Sequence, residues 1–563
     1  MQKKEFLLKT GSLICSIRVS LMSLIFGLST ILNSFAQSPD WLWSRSAGGT
    51  SGEISRSVAT DSSGNVFVTG RFSSSTLSFG SYTLTNAGGT DIFLVKYDSN
   101  GNVLWAKSAG GTGYDWGTSV ATDANGNCYV TGYFSSSSIT FGSSLTNAGD
   151  EDIFLVKYDA NGNVLWARSA GGTSGERSYN VATDASGNVF VTGYFHSSTI
   201  SFGSDTLKNT GLDDIFVVKY DANGNVLWAR SAGGTDEDFS KSVATDANGN
   251  CYVTGPFWSP SIAFGSDTLR NAGYSDIFLV KYDANGNVLW AKSGAGFFSS
   301  ESNCVTTDPN GNCFVTGDFD TYITFGEYSL GHPGIGTGMF LVKYDPNGNV
   351  LWAKTADGGI DDQASSVATD ASGNVFVTGS FLSISFGSYH LTNAGGYDIF
   401  LVKYDAHGNV LWAKSAGGDG DDRGVSVATD ASGNVFVNGH FYSSTISFGS
   451  DTLTNQGYND MFLAKLGNTP NSINEKPLLS DNMVIYPNPN SGEFTLSFTA
   501  QQCGEAEIKV LDILGNTVYN EKCFIAQDNY AKEFNLGKIT SGIYILQVKV
   551  GEKIYNYKLE IMN

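Results

Sequence analysis

From residue 41 onward, apolar and polar side chains alternate with period two in short runs separated by glycine-bearing turns, and no stretch carries a helical period. The same runs keep returning. Each copy holds an SVATD-like stretch, a turn ending in Gly-Asn, a VFVTG stretch, a Phe-Gly pair, then DIFLVKY and NVLWAKSAGG. Trp43, Trp105, Trp166, Trp228, Trp290, Trp352 and Trp412 mark seven copies, 60–62 residues apart, filling residues 41–466. Four strands per copy, seven copies and no helices predict an all-β chain built as a seven-bladed β-propeller. The phase predicts how the ring closes. The chain enters on a fourth-type strand, WLWSRSAGG at 41–49, and the last copy stops after its third, DMFLAKL at 460–466. The N-terminal strand should therefore complete blade seven and leave no open edge.

The turns DASGN or DANGN, and YDANGN, read as hairpin turns, with Asp bonding forward to the turn backbone and Gly in the left-handed position. Their likeness to a calcium loop is superficial, because the glycine comes two positions too early for an EF-hand. VATDASGNVFVTG followed by DIFLVKYDANGNVLWAKSAGG resembles the bacterial seven-bladed propeller repeat called SBBP, found in secreted and surface proteins. That resemblance implies the fold and no particular ligand or reaction.

Both ends of the chain differ from the repeat. Lys3, Lys4, Lys9 and Arg18 precede the apolar run at 21–36, which ends in Ser34 and Ala36, so residues 1–36 read as a cleaved secretory signal rather than an uncleaved anchor. Ile14 before Cys15 is too bulky for lipoprotein processing. The propeller then spans 37–466 and a polar linker 467–482. Residues 483–563 show alternating strands and Gly-Asn or Gly-Glu turns, predicting a small C-terminal β-sandwich. Tyr486, Pro487, Asn488, Pro489 and Gly492, with Gly515 and the Gly542, Ile543, Tyr544 triplet, resemble the C-terminal sorting domain of type IX secretion. The resemblance implies an outer-membrane translocon and a sorting peptidase as partners, and a mature protein that is released or held at the cell surface.

Composition narrows the partners further. With 54 acidic against 33 basic residues the formal charge is −21, and removal of the leader takes it near −24, so nucleic acid is a poor partner. No G-x-S-x-G, H-E-x-x-H or Walker A sequence is present, no cofactor is implied, and no metal site is expected. His196, His332, His390, His407 and His440 lack ligand-like spacing and read as surface or turn polarity. Cys128, Cys251 and Cys313 stand where other copies carry Val66, Val189, Val375 or Val435, which suits small buried hydrophobes. Cys304 has no evident mate, and Cys503 and Cys523 flank a tail hairpin about three residues out of register.

Two sets of residues stand out as candidate sites. Glu53, Asp115, Glu176, Asp238, Asp362 and Asp422 recur ten residues after the tryptophan, with Glu301 one place later in blade five. They are expected to ring the central opening, either holding a cation or, as the repetition favours, bonding nearby loop backbone. Departures from the repeat give the second set: Tyr114, Trp116, Phe239, Trp258, Phe297, Phe298 and the Gly-rich loop at 331–338. Exposed aromatics there suit sugar or peptide contacts on the variable loop face, against the alternative that they pack beneath their loops. The leading expectation is a secreted or cell-surface propeller binding an extracellular glycan or protein. A propeller enzyme acting on extracellular polysaccharide and a purely structural envelope component are the alternatives. A carboxylate grouped with Arg, His or Tyr in the central pocket would favour the enzyme.

Overall fold

The computed structural model describes residues 39–332, 336–358, 361–467, 484–500, 504–512, 515–525, 528–550 and 553–562, so the leader and the linker lie outside the described residues. The described chain contains strands and turns and divides into two compact units at residue 468.

The first unit is a seven-bladed β-propeller. In the first blade the sheet runs Glu53–Thr60, Val66–Phe72, Asp91–Tyr97, Val103–Ala109, each strand antiparallel to its neighbour, and the same order recurs around the ring. Valines, phenylalanines and the DIFLVKY aliphatics of adjoining blades share their cores, with Val66, Val68, Phe93 and Val95 wholly buried. The sequence pattern missed one element. Between the second and third strands every blade inserts a short hairpin, Thr76–Phe79 with Tyr82–Thr85 in the first blade. The Phe-Gly pair explains it: Phe79 packs on Phe93, ring centroids 5.4 Å apart, and Gly80 turns the hairpin at φ +58°. Blade four also departs from the others, because its inner strand is cut to Ser242–Thr245.

Closure follows the phase of the repeat. Asp40–Ala47 pairs antiparallel with Asp460–Gly467 and becomes the outer strand of the seventh blade. Inside the ring a second device joins all the blades. Thr60 Oγ1 donates to the carbonyl of Thr429 at 2.8 Å, Thr122 to Thr60, Thr183 to Thr122, and so on through Thr245, Thr307 and Thr369 until Thr429 donates to Thr369. Seven hydroxyls thus form a closed circle at the SVAT end of the inner strands.

The outer rim is clasped by the repeated tryptophan. Trp105 Nε1 and Lys96 Nζ both donate to the carbonyl of Ala160, at 3.2 and 3.1 Å, in the third-to-fourth-strand turn of the following blade. Lys96 also lies 3.5 Å from Asp61, which caps the inner hairpin of its own blade. Gly162 in the clasped turn has φ +79°, and an added Cβ would meet the Trp105 ring at 3.0 Å, so both conformation and contact demand glycine. The same pair repeats at Lys157 with Trp166, Lys219 with Trp228, Lys281 with Trp290, and Lys343 with Trp352.

The second unit is a sandwich of two sheets. Val484–Tyr486, Glu493–Ala500 and Asp528–Asn535 form one, and Gly504–Leu511, Thr517–Ile525, Gly542–Val550 and Lys553–Ile561 the other. Phe494, Leu496, Ile508, Val510, Leu546 and Leu559 fill the space between them. Cys523 pairs in register with Ala506, while Cys503 lies outside the described residues.

Removing Asp40–Ala47 takes away the outer strand of one blade together with the Trp43 clasp on Ser99. Such a variant should melt roughly 5 °C or more below the parent and associate through the bared Asp460–Gly467 edge. Calorimetry with light scattering checks this, and a monomer of unchanged stability would refute closure by this strand.

Candidate functional site

The repeated acids do not form an axial ring. Glu53, Asp115, Glu176, Asp238, Asp362 and Asp422 are all buried, at the first position of the inner-strand segment in their blades. In five of them, all but Asp362, whose Oδ1 is buried without a partner, the oxygens are taken up by loop backbone: Glu53 accepts from Gly49 N at 2.8 Å and Ser74 N at 3.1 Å, and Asp115 from Gly111 N and Ser136 N. Glu176, Asp238 and Asp422 make equivalent bonds. Like charges gathered around a narrow opening would repel, whereas single carboxylates placed one to a blade in six blades do not. Glu301 is not a member of the set. Ser300 takes the equivalent register, opposite Phe319, and Glu301 falls on the next position, where it pairs with Lys241.

The axis instead opens into a pocket of about 890 Å³ with a different lining. Three positions per blade fall at its upper end: the second and fourth residues of the inner-strand segment, and the residue of the second strand opposite the former; all of them line the cavity except Ile54, Arg71, Tyr194, Phe239, Pro256, Glu301 and Asp318, which pack beside it. In blade one these are Ile54, Arg56 and Arg71; in blade two Trp116, Thr118 and Tyr133; in blade three Arg177, Tyr179 and Tyr194. Blade four gives Phe239, Lys241 and Pro256, blade five Glu301, Asn303 and Asp318, blade six Gln363, Ser365 and Ser380, and blade seven Arg423, Val425 and His440. The fourth position is a β-bulge in six blades, which turns its side chain out of the ladder. Below this level the SVAT residues line the pocket with small side chains.

The funnel is strongly asymmetric. On one side Arg71, Trp116, Tyr133 and Arg177 form a continuous stack: the Arg71 guanidinium sits 3.6 Å above Trp116, Trp116 stacks on Tyr133 at 5.4 Å, and Arg177 lies 4.7 Å beyond. Arg56 approaches the same indole at 5.6 Å. Tyr179, Tyr194, Phe239 and Trp258 continue the aromatic wall at centroid spacings of 5.7, 4.7 and 5.3 Å. Opposite, Lys241 pairs with Glu301 at 2.6 Å and with Asn303, whose amide donates to Asp318 at 2.6 Å.

The charges in the funnel are perturbed. Burial raises the Asp318 carboxyl to about 7, against the pull of Lys241 and with the push of Glu301. His440 is buried, its imidazole driven down to about 3 by burial first and then by Arg56, Arg423 and Arg71, so it is neutral at physiological pH. Burial also lowers Arg56 and Arg71, and the neighbouring Arg56 guanidinium lowers Arg71 further.

The sequence-predicted aromatics divide between two places. Trp116 lines the funnel with both faces already occupied, and Phe239 and Trp258 pack beside it on Tyr194 and each other. Phe297 and Phe298 are exposed on the blade-to-blade loop, edge to face with each other, as is Tyr114 on its own loop. Residues 333–335 of the Gly-rich loop lie outside the described residues. Sequence reasoning missed Arg56, Arg71, Arg177, Arg423 and His440, although a signal existed. They occupy the most variable positions inside otherwise constant strands, as in GRF, GYF, GPF, GDF, GSF and GHF.

In the second unit the Tyr486 to Gly492 segment fastens the terminal strand. Asn488 Nδ2 donates to the carbonyl of Lys558 at 2.9 Å, its Oδ1 accepts from Glu560 N at 2.8 Å, and Asn490 bridges Ile561. Gly492 has φ +101° and its carbonyl accepts from Leu536 N. Tyr486 remains half exposed.

Comparison with known proteins agrees with both units. Residues 42–71 match the β-propeller repeat family SBBP, and residues 484–562 match the secretion system C-terminal sorting domain. An uncharacterized WD repeat-containing protein, L264 of Acanthamoeba polyphaga mimivirus, is 26% identical over 332 residues, 46% of this chain and 24% of that protein. The regulatory protein FlaEY of Caulobacter vibrioides is 28% identical over 349 residues, 58% and 35% respectively. The match thus spans about a quarter to a third of the length of these curated relatives. A structure of unknown function from Bacteroides thetaiotaomicron covers 74% of this chain and all of its own, with 10% identity and a TM-score of 0.29, too low to carry an argument. The chain therefore carries SBBP-type propeller sequence and a type IX sorting tail, which directs export to the cell surface or beyond it.

The loop carboxylates generate a prediction about pH. Burial raises Asp91, Asp238, Asp398 and Asp460 to about 6 and Asp362 to about 7. Each folded value exceeds the unfolded one, so the folded chain keeps protons that the unfolded chain has released. The resulting stability is lost as pH rises through these values. The melting temperature should fall between about pH 5 and 8, and Asp238→Asn should flatten the slope. A melting temperature that climbs over that range would contradict the assignment.

Proposed function

We propose that the exported propeller is a binding protein whose ligand site is the axial funnel, with the loop aromatics as its outer lip. One observation carries the reading: the positions that vary most from blade to blade are those lining the funnel, while the residues that hold the ring together repeat. Fold demands neither Arg56, Arg177, Arg423 and Trp116 on one side nor Lys241 and Asn303 on the other. A volume of about 890 Å³ suits a short oligosaccharide or peptide segment and excludes a folded protein. The sorting tail supplies the setting, an extracellular or surface location where such a ligand is met.

A second reading, an enzyme acting on extracellular polysaccharide, is favoured by Asp318. Its raised carboxyl stands beside Glu301 and Lys241 and accepts from Asn303, which lines the pocket together with tyrosines and a neutral histidine, a set able to donate and accept protons. Product release from a polysaccharide, abolished by Asp318→Asn, would distinguish catalysis from binding alone.

The binding reading is tested by screening the mature chain against glycans and peptides, then comparing funnel and outer-turn variants. Tyr179→Ala and Arg423→Ala should each weaken the ligand found by roughly tenfold or more, and Asn287→Ala on the opposite face should leave it unchanged. Equal affinities across the set would move the site out of the funnel. Export is tested separately: a chain ending at Leu479 lacks the sorting domain and should stay inside the outer membrane, and its normal appearance outside would refute the role of the tail.

A further inference from the structure

The funnel's cations are not matched by its anions. Arg177 is neutralised by Glu151, its Nη2 3.1 Å from Oε1, and Lys241 by Glu301. Arg56, Arg71 and Arg423 converge from blades one and seven with no carboxylate in ion-pair range among the described residues. Arg71 Nε is buried without a hydrogen-bond partner. Between them lies His440, 93% buried by its 7% exposure, whose Nδ1 also lacks a partner. Arg71 is held flat on Trp116 and Arg423 lies 4.9 Å over Tyr397, so two of the three guanidiniums are oriented by aromatic rings rather than by counter-charges. A chain with 54 acids and 33 bases has no shortage of carboxylates. Three neighbouring guanidiniums kept free of them cost folding energy through mutual repulsion and desolvation, a cost that a bound anion would offset.

We infer that the funnel recognises the acidic group of an anionic saccharide, a carboxylate or sulfate held between Arg56 and Arg423, with Arg71 beside Arg56 on the shared Trp116 ring. This rests on the funnel being the ligand site and adds the chemistry of its ligand. Planar guanidiniums present paired N–H donors to either oxyanion, and the unpartnered His440 Nδ1 and Arg71 Nε are further groups able to bond it. The wall of Tyr179, Tyr194, Phe239 and Trp258 offers ring edges and hydroxyls to the neutral part of the chain. Exposed Phe297, Phe298 and Tyr114 on the blade-to-blade loops extend that apolar contact beyond the mouth.

Calorimetric titration of the mature full-length chain with three hexasaccharides of equal length, a polyuronate, a sulfated chain and a neutral glucan, tests the inference. At least one acidic probe should bind tenfold or more tighter than the glucan, and its affinity should fall with added salt. Binding of the uronate alone assigns the carboxylate, binding of the sulfated chain alone assigns the sulfate, and either supports the inference. Arg56→Gln with Arg423→Gln should weaken the acidic probe at least tenfold, whereas Arg270→Gln on an exposed hairpin should not. If the glutamine pair fails to fold, Arg423→Lys alone should still weaken binding, because a point charge replaces the planar fork. An equally tight glucan that is lost on Tyr179→Ala would overturn the anionic class and leave the funnel reading standing. Acidic binding indifferent to every funnel substitution would overturn both, and no binding of any probe would overturn the inference.

Discussion

One carbonyl oxygen at each of six of the seven blade interfaces organises the propeller. It belongs to the outer turn of one blade and accepts from the indole and the ammonium of the blade before it, as Ala160 does from Trp105 and Lys96. A buried ammonium is tolerated only when its donors are used, so Lys96 also needs Asp61, and Asp61 in turn caps the inner hairpin. The tryptophan needs a turn with no side chain beneath its ring, which fixes Gly162. Trp, Lys, Asp and Gly therefore recur together because each loses its partner if another changes. The seam between blades six and seven proves the point by contrast. Blade seven takes its outer strand from the N-terminus and has no hairpin turn there to offer, and Trp412 makes no recorded indole hydrogen bond among the described residues, whereas Trp43 reaches forward to Ser99.

Because the clasp works at the rim and the threonine circle at one end of the inner strands, the other end of those strands is released from duty. That is where function can be written without loss of fold. The β-bulge at Arg56 and its equivalents turns a residue out of the ladder, so its identity matters little to pairing and much to the channel. The residues that hold the ring together and those that line the cavity are thereby separated onto different positions of the same inner strand.

This separation also explains what could be read from the sequence. Blade number, strand order, the closing strand and the sorting tail were legible, since each depends on residues that repeat or on a motif in order. The inserted hairpins escaped notice because four-residue strands bury only alternate side chains, such as Leu77 and Phe79, and carry little period. The acids were assigned to the axis by placing the first residue of the inner strand there. In a period-two strand a shift of one residue exchanges the two faces, and Glu53 turns into the loops where Ile54 turns to the channel. Glu301, one residue out of step with the other acids, pairs with Lys241 instead of bonding loop backbone. Arg71 went unread and His440 was taken for surface or turn polarity for a further reason, since each meets its neighbours only through pairing with a strand position 17 residues away.

A ring of seven equal blades brings equivalent positions close together at its centre. Had those positions been kept identical, any charged residue there would face six copies of itself, and the repulsion would fall on the most buried part of the molecule. The chain avoids this by varying these residues from blade to blade. Cations gather on blades seven, one, three and four, rings on two to four, carboxylates on five and small polar groups on six. A ligand in such a funnel meets unlike walls, so its orientation is fixed as well as its presence. Sevenfold architecture supplies the enclosure, and only the broken symmetry of its lining can supply direction.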